Sequence, residues 1–243
     1  MKKSNLIRAF FALSFSVLTI SNAFAARSFA ATSHSNVVSS EIKCEFEQEV
    51  TSYADLAILS HVLDEYLITH PGAPEFKQEV YIKSFVENGG LRNTHVVLGL
   101  GDYLPGYNNL NSEERKLAAA HPIQAITVYS CASNATNATI SYYGTNGWQD
   151  NSDAFRHTCW NALMKKEIGQ ESARAWATAH EAEASGNDKE MDLTNNMVGR
   201  GIDVSGKSNS QIYEAVKEKV KNGCCLRIVD NRLVTTNGDG LIK

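Results

Sequence analysis

The chain has 243 residues, a formal net charge of −4 at pH 7 and 43% hydrophobic residues. Charged residues make up 21% of it, a balance typical of a globular domain rather than a disordered chain. The slightly acidic charge comes without any basic block, which argues against nucleic acid as a partner. The length is sufficient for one substantial hydrophobic core.

The N-terminus has the pattern of a secretory signal peptide. Two lysines precede a mostly apolar run from Leu6 to Ile20, and an A-x-A cleavage motif ends at Ala25. A second possible cleavage motif ends at Ala30. We predict a signal peptide at residues 1–25, since the apolar run is too short for a comfortable membrane span. The expected location is secreted or periplasmic, with no stable membrane insertion after cleavage.

Five cysteines are present, an odd number. Export permits disulfides, and an odd count leaves at least one thiol over unless two chains are joined. Cys224 and Cys225 are adjacent and are expected to face different directions, so a bond from Cys44 to one of them is a candidate pairing. No C-x-x-C spacing occurs, which leaves a zinc ribbon or a thiol redox motif without support.

Helical spacing of apolar residues, with Pro and Gly as punctuation, predicts a largely helical chain. Asn111 or Ser112 is expected to cap one helix and Ser152 another. Val96 to Leu100 could form a short strand, and Asp230-Asn231 indicates a hairpin. The predicted helices cover residues 49–69, 74–87, 152–168, 170–185, 188–201 and about 208–220, and one more starts at about residue 112. Pro122 marks a break in that helix or the first turn of another that runs toward residue 138.

The predicted fold is therefore mainly α: a compact helical bundle with a small C-terminal β-hairpin. The expected organisation is a signal peptide (1–25), a flexible leader (26–40), an N-terminal helical region (41–109) and a helical domain that carries a polar site (110–243).

Polar residues follow regular stripes on the helices of this last region. Asp153, His157 and Asn161 are four residues apart, so they lie on one face of a helix that is otherwise rich in bulky apolar residues. Asp192, Asn196 and Arg200, preceded by Asp188, repeat this spacing on a later helix, with Asn195 beside them. His180 and Glu181 lie in the C-terminal half of the Ala-rich helix between these two.

Such buried stripes need partners, because an unsatisfied buried polar group costs about 1–3 kcal/mol. We therefore expect the three helices to bring their polar residues together at one site. The candidate catalytic residues are His157, His180, Glu181, Asp192 and Asn196, and the candidate substrate-binding residues are Arg156, Asn161, Asn195 and Arg200.

Two chemistries fit this set, and the cofactor stays open. Without a metal, His157 is a general base oriented by Asp153 or Glu181, His180 is a second base or acid, and arginines stabilise negative charge. With a metal, zinc is the candidate, bound by His157 and His180 together with Asp192 or Glu181. The H-E-x-x-H motif itself fails, since Ala184 stands where its second His belongs. The metal-free interpretation is slightly favoured.

The segments "DAFRHTCWNALM", "AHEAE" and "MDLTNNMVGR" resemble a bacterial domain family of uncharacterised function. That family occurs in exported proteins and at the C-terminal ends of large secreted or polymorphic-toxin chains. The resemblance covers about residue 110 to the C-terminus and implies a helical domain with a polar site, but no reaction. The matching positions are Arg156, His157, Trp160, Asn161, His180, Glu181, Asp192, Asn195, Asn196, Gly199 and Arg200.

We expect an exported hydrolase that cleaves an ester or phosphodiester bond in a cell-envelope or extracellular substrate. The alternative is a non-catalytic secreted binding or structural module. In that case the polar stripes form a buried hydrogen-bond network, and the Tyr- and Asn-rich segment from Asp102 to Asn111 is the contact surface.

Overall fold

The structure is a computed structural model, and it describes residues 46–93 and 109–243. These residues all fall within one compact unit. Several predictions lie outside the described residues: the signal peptide, the leader, the strand at residues 96–100, Cys44 and most of the segment from Asp102 to Asn111. Within the described part, no helix is both long and apolar enough to cross a membrane.

The predicted fold class is confirmed, because the described chain is mostly helical and ends in one antiparallel hairpin. A helical turn at residues 46–49 precedes the first long helix. The helices are α1 (Tyr53–Thr69), α2 (Glu75–Glu87), α3 (Gly90–Asn93), α4 (Ser112–Ala120), α5 (Pro122–Tyr143), α6 (Asn151–Ile168), α7 (Gln170–His180), α8 (Gly186–Arg200) and α9 (Asn209–Lys221), and the strands are β1 (Leu226–Val229) and β2 (Arg232–Thr235).

Helix α6 is the centre of the bundle. Helices α5, α7, α8 and α9 all pack against it, and every residue from Asn151 to Met164 is buried. A helix can be buried on all sides only where neighbours cover its whole circumference. Phe155, Trp160 and Met164 therefore belong to the hydrophobic core, while the polar residues between them must find partners on adjacent helices.

The ends of α6 and α7 differ from the sequence predictions. Asp150, not Ser152, caps α6, since its carboxylate accepts the backbone N–H groups of Ser152 and Asp153. Helix α7 stops at His180 rather than at residue 185. The amide nitrogen of Asn111 donates to the carbonyl oxygens of Ala179 (2.7 Å) and His180 (3.1 Å), so another element satisfies carbonyls that a longer helix would have used.

Asn111 caps α4, one of the two predicted candidates. Its side chain accepts from the backbone N–H groups of Glu113 and Glu114, and the Glu114 carboxylate accepts from the backbone of Asn111, which completes a capping box. Asn111 therefore ties the start of α4 to the end of α7. This contact places the first turn of α4 beside the polar residues of α7.

The predicted hairpin is present, with Leu226 opposite Thr235 and Val229 opposite Arg232. Asp230 and Asn231 form its two-residue turn with positive φ values of 49° and 59°, as this tight hairpin geometry requires. The described cysteines Cys131, Cys159, Cys224 and Cys225 are free thiols.

Helices α6 and α8 approach each other closely at Gly199. A Cβ atom at this position would lie 2.2 Å from the carbonyl oxygen of Thr158 and 2.9 Å from the Cβ of Asn161. Both neighbours belong to the buried part of α6, and a backbone oxygen cannot move aside as a flexible side chain can. Gly199 thus sets the distance between the two polar stripes.

We predict that Gly199→Ala lowers the free energy of unfolding by about 1–3 kcal/mol, as overpacking of a core does. The clash outweighs the intrinsic preference of a helix for Ala, which is worth about 1 kcal/mol. Chemical denaturation measures the effect. Gly238→Ala is the control, because its Cβ would make ordinary contact with Lys221 at 3.6 Å. Equal stability of the two variants would contradict the close approach.

Candidate functional site

The stripe of α6 meets the stripe of α8 through a chain of buried amides. The Nδ2 of Asn161 donates to the Oδ1 of Asn196 at 2.6 Å, and the Nδ2 of Asn196 donates to the Oε1 of Glu181 at 3.2 Å. Arg200 donates to the Oδ1 of Asn161 at 2.5 Å. The convergence predicted from spacing therefore occurs, with Glu181 as its link to α7.

His157 lies within this network and is 5% exposed. Its Nε2 faces the Oδ1 atoms of Asp153 at 3.4 Å and Asp192 at 3.6 Å. Its Nδ1 faces the Oε1 of Glu181 at 3.8 Å, which is beyond hydrogen-bonding distance. Three carboxylates from three separate segments thus surround one imidazole. We call Asp153, His157 and Asp192 the His157 centre.

Two atoms of this arrangement lack hydrogen bonds. Neither the Nδ1 of His157 nor the Oδ1 of Asp192 has a partner among the described residues. Buried polar atoms in folded proteins are nearly always satisfied, and exceptions mark strain, function or a missing water or ion. Both atoms belong to predicted catalytic residues, which singles out this part of the network.

Asp153 is held on both of its oxygens. The backbone N–H of Gln149 donates to Oδ2 at 2.6 Å, and the guanidinium of Arg156 bonds Oδ1. Arg156 also donates to the Oδ1 of Asn146 at 2.7 Å and to the carbonyl of Gly147 at 3.0 Å. The arginine predicted to bind substrate therefore fixes the loop before α6 and compensates the charge of Asp153.

The ionisation of the centre reflects its burial. Burial, reinforced by the charges of Glu181 and Asp153, raises the pKa of Asp192 to about 9. Burial also raises the pKa of Asp153, against the opposing charge of Arg156, and the pKa of Glu181. Burial and the nearby Arg156 charge hold the pKa of His157 well below its usual range. The centre therefore holds more acidic groups than local positive charge can keep ionised.

His180 has a partner that the sequence analysis missed. Its Nδ1 lies 2.8 Å from the Oε1 of Glu114, a carboxyl group that is 2% exposed. The Tyr53 hydroxyl donates to the same oxygen at 3.0 Å, and the His180 ring packs edge-on against Trp160. The Asn-x-x-Glu spacing of Asn111 and Glu114 is typical of a capping box. It points to Glu114 as the second residue of the cap, whereas the sequence prediction named only Asn111 or Ser112.

The two histidines of the alternative zinc site are not grouped as ligands in the structure. His157 and His180 have ring centroids 6.3 Å apart, and Nδ1 of His180 is engaged by Glu114. Ligand atoms of Asp153, His157 and Asp192 instead lie within 4.8 Å of one another. If a metal binds here, the second carboxylate comes from Asp153 on α6, a residue that the sequence analysis treated only as an orienting group.

Two further polar residues hold the scaffold. The side-chain amide of Asn195 bonds the backbone of Leu226 twice: its Oδ1 accepts from the N–H at 2.8 Å, and its Nδ2 donates to the carbonyl oxygen at 3.0 Å. Asn195 thus joins α8 to strand β1. Ser152 donates to Asp150 at 2.6 Å and accepts from the N–H of Gly147 at 2.8 Å, so its hydroxyl group holds the loop before α6.

Residues 115–224 match the family model described as a domain of unknown function (DUF6973). The matched segment contains the predicted site residues from Arg156 to Arg200, and it begins one residue after Glu114. No curated protein and no solved structure gives a significant match to the chain.

We predict that His180→Gln destabilises the protein most at acidic pH. Burial alone would lower the pKa of His180, but the hydrogen bond to Glu114 and the charges of Glu114 and Glu181 outweigh it and raise that pKa. Because the pKa of His180 is higher in the folded protein than in the unfolded chain, protonation of His180 stabilises the fold. This contribution to the free energy of unfolding is fully present below about pH 6.5, and it is lost as pH rises through the pKa of the folded protein. Urea unfolding of both proteins over a pH series measures the difference.

The control is His61→Gln, which removes an exposed histidine lying 3.2 Å from Glu65. Exposed ion pairs contribute little to stability. The free energy of unfolding of His61→Gln should therefore stay close to that of the parent protein at every pH. If His180→Gln instead lost more unfolding free energy as pH rose, the assignment of His180 and Glu114 as a charged pair would be contradicted.

Proposed function

We propose that the protein is a hydrolase that cleaves ester or phosphodiester bonds at the His157 centre. The observation that carries this proposal is the position of His157, buried between Asp153, Asp192 and Glu181 with unsatisfied polar atoms on two of the four residues. Stability alone favours apolar side chains at such a place, because buried ionisable groups cost more than they contribute unless they are fully paired.

In this proposal the His157 centre activates a water molecule. The water oxygen attacks the phosphorus or carbonyl carbon, one of its protons passes to the centre, and the bond to the leaving oxygen breaks. The products are an alcohol and a phosphomonoester or carboxylic acid. Glu181 is a positioning residue, since it faces Nδ1 of His157 and leaves Nε2 directed at Asp153 and Asp192.

Two basic residues of the same polar network could serve an anionic transition state. Arg200 is half-buried and reaches Asn161 from α8, and His180 is paired with Glu114 at 2.8 Å. In the proposal Arg200 contacts the negative oxygens, and His180 protonates the leaving oxygen. The His180 side chain is 16% exposed and that of Asp192 is 10% exposed, so the site is not sealed from solvent.

The choice of substrate rests on sequence features. The N-terminal signal-peptide pattern and the resemblance to exported and toxin-associated domains support a substrate in the cell envelope or outside the cell. A phospholipid or a lipid-linked cell-wall precursor has the required bond. The expected location is accordingly secreted or periplasmic.

One observation favours a second candidate, a purely structural network. The side chain of Asn161 is fully used inside the protein: it donates to Asn196 and to the carbonyl of His157, and it accepts from Arg200. In a non-catalytic binding module this network would only fix the packing of α6 against α8. The two candidates differ in what removal of His157 should change.

We predict that His157→Gln lowers kcat/KM about 10²–10⁴-fold, the usual contribution of a positioned proton-transfer group, with only a small change in Tm. The assay uses the full chain, collected after export. Its substrates are bis(p-nitrophenyl) phosphate, p-nitrophenyl butyrate and phospholipid vesicles.

His61→Gln is the matched control, as it removes a surface histidine remote from the polar stripes in sequence, and its activity should equal that of the parent. If the parent hydrolyses none of the three probes and His157→Gln only lowers Tm, the structural network is correct and the hydrolase proposal is wrong.

A further inference from the structure

The contacts of the His157 centre bring one ring nitrogen and two carboxyl groups face to face. Nε2 of His157 lies 3.4 Å from Oδ1 of Asp153 and 3.6 Å from Oδ1 of Asp192. Arg156 donates to Asp153, but Oδ1 of Asp192 receives no hydrogen bond from any described residue. An unsatisfied buried oxygen in a native protein can mark a missing ion. A cation at the point the three atoms share would give this oxygen a partner.

We propose that Asp153, His157 and Asp192 bind one divalent cation, with Zn²⁺ as the preferred ion. Ligands bound tetrahedrally to Zn²⁺ at about 2.0–2.1 Å are about 3.3–3.4 Å apart. The observed separations from Nε2 are close to this value, and all three ligand atoms lie within 4.8 Å of one another. Small side-chain rotations are enough to complete the site.

The surroundings of the three ligands fit those of a metal centre. A histidine that binds metal through one nitrogen usually directs the other toward a carboxylate or carbonyl oxygen. Nδ1 of His157 faces Glu181 at 3.8 Å, and Asn196 donates to the same oxygen of Glu181. Asp153 is oriented by the N–H of Gln149. Two ligands are thus oriented by groups that would not themselves touch the ion.

The donor set selects the kind of ion. An imidazole nitrogen with two carboxylate oxygens suits Zn²⁺, whereas Mg²⁺ and Ca²⁺ prefer oxygen ligands alone. Three protein ligands leave a fourth position for water, the arrangement of catalytic zinc. The cation would lower the pKa of that water to about 7. This role of the water rests on the proposed hydrolase, but ion binding does not depend on it.

The test measures ion binding without an activity assay. The full chain is purified without a chelating tag, and its metal content is determined by mass spectrometry. We expect one equivalent of Zn²⁺. After removal of metal, Zn²⁺ should raise Tm by several degrees and Mg²⁺ should not. Absence of bound zinc together with an unchanged Tm on adding Zn²⁺ would overturn the proposal.

Asp192→Asn should abolish stoichiometric binding. It is close in shape and adds an N–H donor beside the unsatisfied position, so the metal-free variant should remain folded. Asp188→Asn is the matched control, since Asp188 lies one turn earlier on α8 and accepts from Gln149 outside the three ligands. Glu181→Gln should weaken binding about 10–100-fold. Unchanged zinc affinity in Asp192→Asn would place the ion elsewhere and overturn the assignment.

Substitution of cobalt for zinc distinguishes metal bound at the His157 centre from metal bound by cysteine. Co²⁺ bound by nitrogen and oxygen gives visible d–d bands without the intense near-ultraviolet absorption of a cobalt–thiolate bond. A thiolate band would show binding at cysteine and would contradict the proposal. Zinc binding without hydrolysis of any probe would refute the proposed hydrolase alone. Hydrolysis by a parent protein that binds no zinc would refute the metal site alone.

Discussion

The burial of α6 from Asn151 to Met164 is the constraint on which the rest of the structure depends. A helix covered on every side would normally be apolar all round, but α6 carries Asp153, His157 and Asn161 along one line. Each needs a partner, so the facing helix must supply polar groups at matching heights. Helix α8 does so with Asp192, Asn196 and Arg200, and Gly199 lets it approach closely enough for side chains only a few atoms long to meet.

The interface between α6 and α8 differs between the part around Asn161 and the part around His157. Around Asn161 the amides and Arg200 satisfy one another, as expected of a network that fixes packing. Around His157 one ring nitrogen faces two buried carboxyl groups, and one carboxyl oxygen is left without a hydrogen bond. A protein selected only for stability would be expected to lose such a cluster, because neutral or apolar replacements cost less. The hydrogen bonds around Asn161 are therefore those of a structural network, whereas the unsatisfied groups around His157 are those of a functional site.

Sequence spacing was sufficient to predict the bundle, the hairpin and the alignment of the stripes on α6 and α8, because helical periodicity fixes which residues share a face. It could not say where α7 ends, since the stop comes from the Asn111 side chain, far away in sequence. The Asn-x-x-Glu spacing marks Glu114 as a reciprocal cap, but only the fold places it beside His180 and Tyr53. Asn195 lies next to the predicted stripe, but it bonds Leu226 at the start of the hairpin instead.

The Glu114 contacts also change the part that the N-terminal helices play. The segment matching the domain of unknown function begins at residue 115, yet the partner of His180 lies immediately before it and the hydroxyl that bonds this partner comes from Tyr53 on α1. Tyr53 is buried, so α1 must be docked for the Glu114–His180 pair to keep its geometry. The residues before the matched segment are therefore structural support for the site, and a fragment limited to 115–224 would lack a charged partner for His180.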